Sequence, residues 1–188
     1  MYYVFGRSTK PRRWIDKEPF FEDVSFLTGE KIAEPVAKPL EYTLKRLNPH
    51  AEDHAPYMPS TLGTRMPLFR DDLLAALRKC GVDNLDVYDA VITDPGAGSV
   101  MTNYKAVNIV GAISAADMGR SVATVHGGAP MMDVEFDELV VDAVKARGAL
   151  MFRLAEAVAT VLVHQRIRDY LEGQFDDLAF HEPGDVAL

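Results

Sequence analysis

The sequence predicts an α+β fold in which mixed and antiparallel sheets hold two similar strand-helix-strand units, around residues 68–88 and 161–181. Three observations predict it: a short unit is written twice, the stretches outside that unit alternate or run apolar like strands, and 48% apolar residues in 188 suffice for a core. The first copy is Leu68-Phe69-Arg70, then Asp71 to Leu77, then Gly81 to Val87; the second is Leu162-Val163-His164, then Gln165 to Leu171, then Gly173 to Phe180. Leu73 and Leu77 align with Ile167 and Leu171 at an offset of 94, and Val82, Leu85 and Val87 align with Phe175, Leu178 and Phe180 at an offset of 93.

Each element has a local reason. Residues 2–5 are aromatic and β-branched and predict an edge strand. Residues 7–67 hold eight prolines and read as irregular, with Trp14, Phe20 and Phe21 candidates either for core packing or for apolar anchors of an interface. Residues 41–47 suit one or two helical turns. Residues 68–69 form a short buried strand. Asp71 or Asp72 opens a helix, where a carboxylate suits the orphan N–H groups and the dipole. Leu73, Leu77 and Cys80 make one buried face, and Gly81 is placed for a left-handed cap. Leu85, Val87 and Val91 continue as a strand. Residues 94–99 are a glycine-rich turn, 104–113 a strand, and 126–128 a turn. Residues 136–141 read as mostly strand and 141–147 as a possible helix. Strands over 150–154 and 160–163 flank a turn at Glu156-Ala157. In the second copy Ile167, Tyr170 and Leu171 face inward and Gly173 caps the helix. The whole chain is expected to form one domain, its proline-rich part (1–67) packed on a repeat-containing core (68–188).

Charge and cysteine content narrow the function. The net charge is −8: residues 1–70 carry 11 Lys and Arg against 9 Asp and Glu, residues 71–188 carry 9 against 19. A nucleic acid is a poor partner for that acidic second part, because phosphates need clustered cations. A cationic protein is a good one, although acidic runs also serve solubility alone. No stretch approaches the ~20 apolar residues of a membrane span, and the first residues lack the pattern of a secretory leader. One cysteine allows no internal disulfide and fits a reducing, cytoplasmic compartment; Cys80 reads as a small buried hydrophobe.

Chemical motifs are sparse. His50 and His54 at i, i+4 with Glu52 and Asp53 between them suggest a metal pair, the basis of an alternative reading as a metal-dependent hydrolase. Pro49 and Pro56 flank the pair and favour a solvated loop. Gly96-Ala97-Gly98-Ser99 does not continue into a phosphate-binding loop. Arg120, Arg147 and Arg153 are scattered, without an aromatic-basic stripe. No cofactor, metal or catalytic residue is assigned.

Tyr104-Lys105-Ala106-Val107-Asn108, a later Ser121, Phe152-Arg153-Leu154, Val161 to Ile167 and a closing Leu171, Phe175, Leu178-Ala179-Phe180 together resemble a family of bacterial immunity proteins of polymorphic toxin systems, of the myxobacterial kin-discrimination type. The resemblance spans residues 65–181; the chain departs from it in Gln165, where a Ser-like helix cap is usual, and in residues 7–67. It implies a non-enzymatic cytoplasmic protein that binds and neutralises a cognate toxin, often a nuclease delivered by a type VI apparatus. A partner-binding surface is then expected at Glu135, Asp137, Glu138 and Asp142, with Asp83, Asp86 and Asp176 as second choice. A homodimer is compatible with this reading, as is a scaffold for some other cationic protein.

Overall fold

A computed structural model describes residues 1–7, 13–22, 25–33, 36, 39–46, 57–127 and 133–185. In chain order its elements are β1 (Tyr2–Arg7), β2 (Ile15–Lys17), α1 (Ser25–Thr28), β3 (Leu40–Leu44), β4 (Thr61–Leu62), β5 (Leu68–Arg70), α2 (Asp71–Lys79), β6 (Leu85–Asp94), β7 (Ser99–Met101), β8 (Tyr104–Ile109), β9 (Ala112–Ile113), β10 (Val122–His126), β11 (Asp133–Glu138), β12 (Met151–Leu154), β13 (Ala157–His164), α3 (Gln165–Leu171) and β14 (Leu178–His181), followed by a 3-10 turn at Pro183–Asp185. They form a five-stranded sheet in the order β14-β1-β13-β12-β9, a seven-stranded sheet in the order β2-β3-β6-β8-β5-β4 with β7 on β6, and a two-stranded ribbon of β10 and β11.

The expected α+β class is corrected. Of the described residues 43% are strand and 14% helix, so the protein is mostly β, built from curled mixed sheets. The physical reason lies in the pairing. The strands of each repeated segment do not pair with one another: β8 lies between β5 and β6, antiparallel to both, and β1 lies between β13 and β14, antiparallel to both. Each helix therefore crosses over a strand from outside its own unit, β8 just after it in the chain and β1 from its far end. The larger sheets that result, rather than two strand-helix-strand layers, are the architecture.

The two longer helices, α2 and α3, have local causes. Asp71 and Asp72 occupy the first turn of α2 and Arg78 and Lys79 the last, matching the dipole at both ends. Its N-cap, Arg70, makes no side-chain cap bond; instead the Arg70 guanidinium grips Asp72 through Nε and Nη2, both at 2.8 Å. For α3 the cap comes from His164, whose Nδ1 accepts from the Arg166 N–H at 3.2 Å, which supplies what Gln165 does not. Gly81 (φ 98°) and Gly173 (φ 82°) end the two helices in the left-handed region.

Three apolar clusters layer the molecule. The central one joins the facing sides of both sheets with both helices: Tyr3, Met151 and Val163 from one sheet, Phe69, Val107 and Ile109 from the other, and Leu73, Leu77, Ile167 and Leu171 from α2 and α3. The other face of the five-stranded sheet (Tyr2, Val4, Phe152, Leu162) is covered by Ala115, Ala116, Val134, Phe136, Leu139 and Ala146. The other face of the seven-stranded sheet carries Phe26, Tyr42, Leu62, Leu68 and Tyr104.

Several local expectations change. β1 is an interior strand, not an edge, because its partners come from the far end of the sequence. Residues 40–44 are a strand with Leu40, Tyr42 and Leu44 buried and Glu41 exposed, not helical turns. Residues 104–113 divide into two strands on different sheets; the break is at Gly111 (φ 107°), whose N–H donates to the Gly29 carbonyl at 2.6 Å. Residues 143–148 form turns instead of a helix. The segment 7–67 contains β2, α1, β3 and β4.

Candidate functional site

Of the acidic group of first choice, Glu135, Asp137 and Glu138 lie on the β10–β11 ribbon and Asp142 beside it. Alternation along β11 sends Val134 and Phe136 into the cluster behind the five-stranded sheet and Glu135 and Asp137 outward; Glu138, beyond the register shift opposite Val122 and Ala123, is exposed as well. In register, Glu135 faces Thr124 and Glu138 faces Val122. His126 places Nε2 at 3.2 Å from Glu135 Oε2, both side chains exposed, so one of the three carboxylates has a neighbour that becomes a counter-ion when protonated.

The ribbon is held at its base. The Val134 N–H donates to the Glu156 carbonyl at 3.1 Å, the Asp117 N–H to the Val140 carbonyl at 2.8 Å, and the Asp142 N–H to the Ala115 carbonyl at 2.8 Å. Ser121 Oγ accepts from the Val140 N–H at 2.9 Å, next to a register shift between Val122 and Ala123. Glu156, itself buried, accepts from Ser114 Oγ at 2.6 Å and from the Ala116 N–H at 3.3 Å. Asp142 is half-buried, and its Oδ1 accepts from the N–H groups of Val144 (2.9 Å) and Lys145 (3.3 Å). It shapes the turn beside the ribbon, whereas the other three carboxylates extend outward. Met118, Val122, Val125 and Val144 are exposed apolar residues on or beside the same segment.

The second-choice residues are not brought together on one element. Asp83 is exposed in the turn after α2, and Asp86 is half-buried on β6 opposite Asn108. Asp176 occupies the position equivalent to Asp83 in the other unit, before β14, and accepts from the Tyr57 hydroxyl at 3.3 Å. Its neighbour Asp177 is buried and bound by the Ser60 N–H and hydroxyl. Of the aromatic candidates, Trp14 is 54% and Phe20 79% exposed, which argues against core packing for those two; Phe21 is half-buried against the Phe26 ring at 5.1 Å. His50 and His54 lie outside the described residues, and among the described residues no group of three or more His, Cys, Asp or Glu is placed to hold a metal. Cys80 is buried, and burial pushes its thiol pKa up, away from a reactive thiolate.

Sequence reasoning passed over two buried arginines. Arg13 pairs with Asp94 at 2.7 Å. Arg153 stands on the inner face of the five-stranded sheet. The signal for the latter was available: in Met151-Phe152-Arg153-Leu154 an arginine occupies an inward position between apolar neighbours, and all four residues are buried. No described helix is long and apolar enough to cross a membrane. No protein-family model matches the chain, and no curated protein matches it.

Proposed function

We propose that the protein is an immunity protein that binds a cognate antibacterial toxin, a nuclease by charge, and neutralises it by covering its cationic active site with the outer face of the β10–β11 ribbon. The observation that carries this reading is the placement of Glu135, Asp137 and Glu138, all exposed, on one short ribbon braced at its base and bordered by exposed apolar residues. A nuclease must hold phosphates and so presents a positive cleft, and a fixed set of carboxylates complements it without rearrangement. The ribbon's inward Val134 and Phe136 tie it to the core, so little order has to be gained on binding. An inhibitor of this kind needs roughly nanomolar affinity, about −12 kcal/mol, and an interface of about 1,200 Å² or more. The three carboxylates supply steering and register; the exposed apolar residues of the ribbon itself, Val122 and Val125, are where the remaining affinity is sought.

The test is co-expression with the toxin domain encoded beside this protein, followed by kinetics on the purified pair. The protein should rescue growth and co-purify with that toxin. Reversing Glu135, Asp137 and Glu138 to Lys should slow association about tenfold or more at low salt, with a smaller effect once the Debye length falls to ~8 Å at physiological ionic strength. The melting temperature should stay within about 2 °C, since exposed charges contribute little to stability. Unchanged association in the triple variant removes the ribbon as the binding face; lack of rescue removes the immunity reading.

A further inference from the structure

A cavity of about 280 Å³ lies between the inner face of the five-stranded sheet and the β4–β5–β8 end of the larger one. Phe5, Phe69, Ile109 and Val161 give it apolar walls, and the exposed residues Leu27 and Arg65 place its mouth at the surface. Arg153 lines it from β12 and is 5% exposed. Among the described residues its guanidinium makes one hydrogen bond, from Nη1 to the Val158 carbonyl at 2.9 Å, and its buried Nε has no partner. The ion pairs among the described residues do not include it. A second orphan faces the same space: Thr61 lines the cavity, is 4% exposed, and its buried Oγ1 also lacks a partner.

Native proteins rarely bury a polar group unpaired, and an arginine cannot shed its proton to escape the cost. Burial alone works against the charged form of Arg153, and no nearby carboxylate offsets it. We propose that this cavity binds a small monocarboxylic acid with an apolar tail, its carboxylate received by Arg153 and Thr61 and its tail lying against Phe5, Phe69, Ile109 and Val161. One buried cation matches one negative charge, and a guanidinium accepts a carboxylate through two parallel N–H bonds. The apolar walls suit a hydrocarbon body and reject a polyanion. The volume of about 280 Å³ falls just below the ~300–1,000 Å³ typical of small-molecule pockets, which suits a medium-chain or aryl-alkanoic acid better than a nucleotide. This site is distinct from the acidic ribbon and does not depend on the immunity reading.

Calorimetric titration of the full chain with octanoate, octan-1-ol and octylamine tests it. Octanoate should bind at one equivalent and raise the melting temperature, octan-1-ol should bind about tenfold more weakly or worse, and octylamine should not bind. Arg153→Met should lose the preference for octanoate over octan-1-ol while melting no lower than the parent without ligand, because an apolar chain replaces an unpaired buried charge. Ala159→Trp, at an exposed lining position, should weaken both ligands by filling the space. Should Arg153→Met fail to fold, the acid-alcohol-amine comparison on the parent protein and the Thr61→Val variant, expected to weaken octanoate several-fold, still decide. Equal binding of octanoate and octan-1-ol by the parent, no binding of either at millimolar concentration, or full octanoate affinity in Arg153→Met overturns the proposal.

Discussion

Arg13→Met should lower the stability of the protein by about 3–5 kcal/mol, the cost of leaving one member of a buried ion pair alone. Arg13 and Asp94 are both buried, and Nη1 meets Oδ2 at 2.7 Å. The same guanidinium donates through Nη2 to the Lys45 carbonyl at 3.2 Å, and the Arg13 N–H donates to the Tyr57 carbonyl at 3.3 Å. The residue thus joins the early segment to the end of β6 and to the start of the segment leading to β4. Asp94 Oδ1 also accepts from the N–H groups of Gly96 (2.9 Å) and Ala97 (3.2 Å), fixing the turn into β7. The hydrogen bond from Arg13, aided by those two N–H groups, holds the Asp94 pKa down at about 2, against the desolvation that would raise it.

The sign of the pH effect follows. A carboxylate whose folded pKa lies below its ordinary value of 3.8 contributes stability above that value and loses it as pH falls toward 2. The parent protein should therefore lose about 2 kcal/mol of stability between pH 4 and pH 2 from this group. In Arg13→Met the depression shrinks and the acid limb flattens. The double variant Arg13→Met with Asp94→Asn should recover part of the loss, since no unpaired charge remains buried. Urea titrations at pH 7 and thermal melts check both points; for a chain of this length each kcal/mol shifts the melting temperature by about 2–4 °C. A loss under 1 kcal/mol would mean that the pair is solvated and contributes little.

Leu77→Ala should cost a comparable amount, about 3–5 kcal/mol. Leu77 is fully buried in the central cluster, which contains side chains from both large sheets and both helices. A cavity there has no flexible wall to collapse it: Leu73, Ile167, Leu171 and Val107 are themselves fully buried. Because that cluster is shared, the loss should appear as one shifted transition seen equally by Trp fluorescence, whose sole source Trp14 sits near the β2–β3 side, and by far-UV circular dichroism. Two separated transitions would divide the chain into independent units and contradict the single-domain expectation.

How much of this was legible beforehand differs residue by residue. Leu73, Leu77 and Cys80, with Gly81 behind them, announced α2 because helical period and cap chemistry are local properties. The same holds for α3 and Gly173, and for the hairpin of β12 and β13. The overall class was misjudged because those local signals are strong while strand partners are remote. Nothing in Tyr2 to Phe5 says that Phe180 and Val163 will lie on either side of them. The alternation of Leu40, Tyr42 and Leu44 was present, but Glu41, Lys45 and Arg46 also favour helix, and propensity gave the wrong answer where tertiary pairing decided. The apolar run through Val110 hid a change of sheet that one left-handed glycine permits. Of the candidate site, the grouping of Glu135, Asp137 and Glu138 was readable from their positions along one segment. For Arg153 the apolar neighbours Phe152 and Leu154 were readable, but not the covering of both faces of that strand, because burial of a charge depends on which sheet faces which.

The insertion of β1 between β13 and β14 sets a timetable for synthesis. Tyr2 pairs opposite His164 and Phe5 opposite Phe180, so β1 has no partner until residues 162–181 have been made. At 5–20 residues per second that delay is roughly 10–30 s. Throughout it a Tyr-Tyr-Val-Phe stretch is an unpaired sticky segment, open to chaperones or to another nascent copy, and slowing translation ahead of residue 157 should lower the yield of native protein more than slowing it after residue 181.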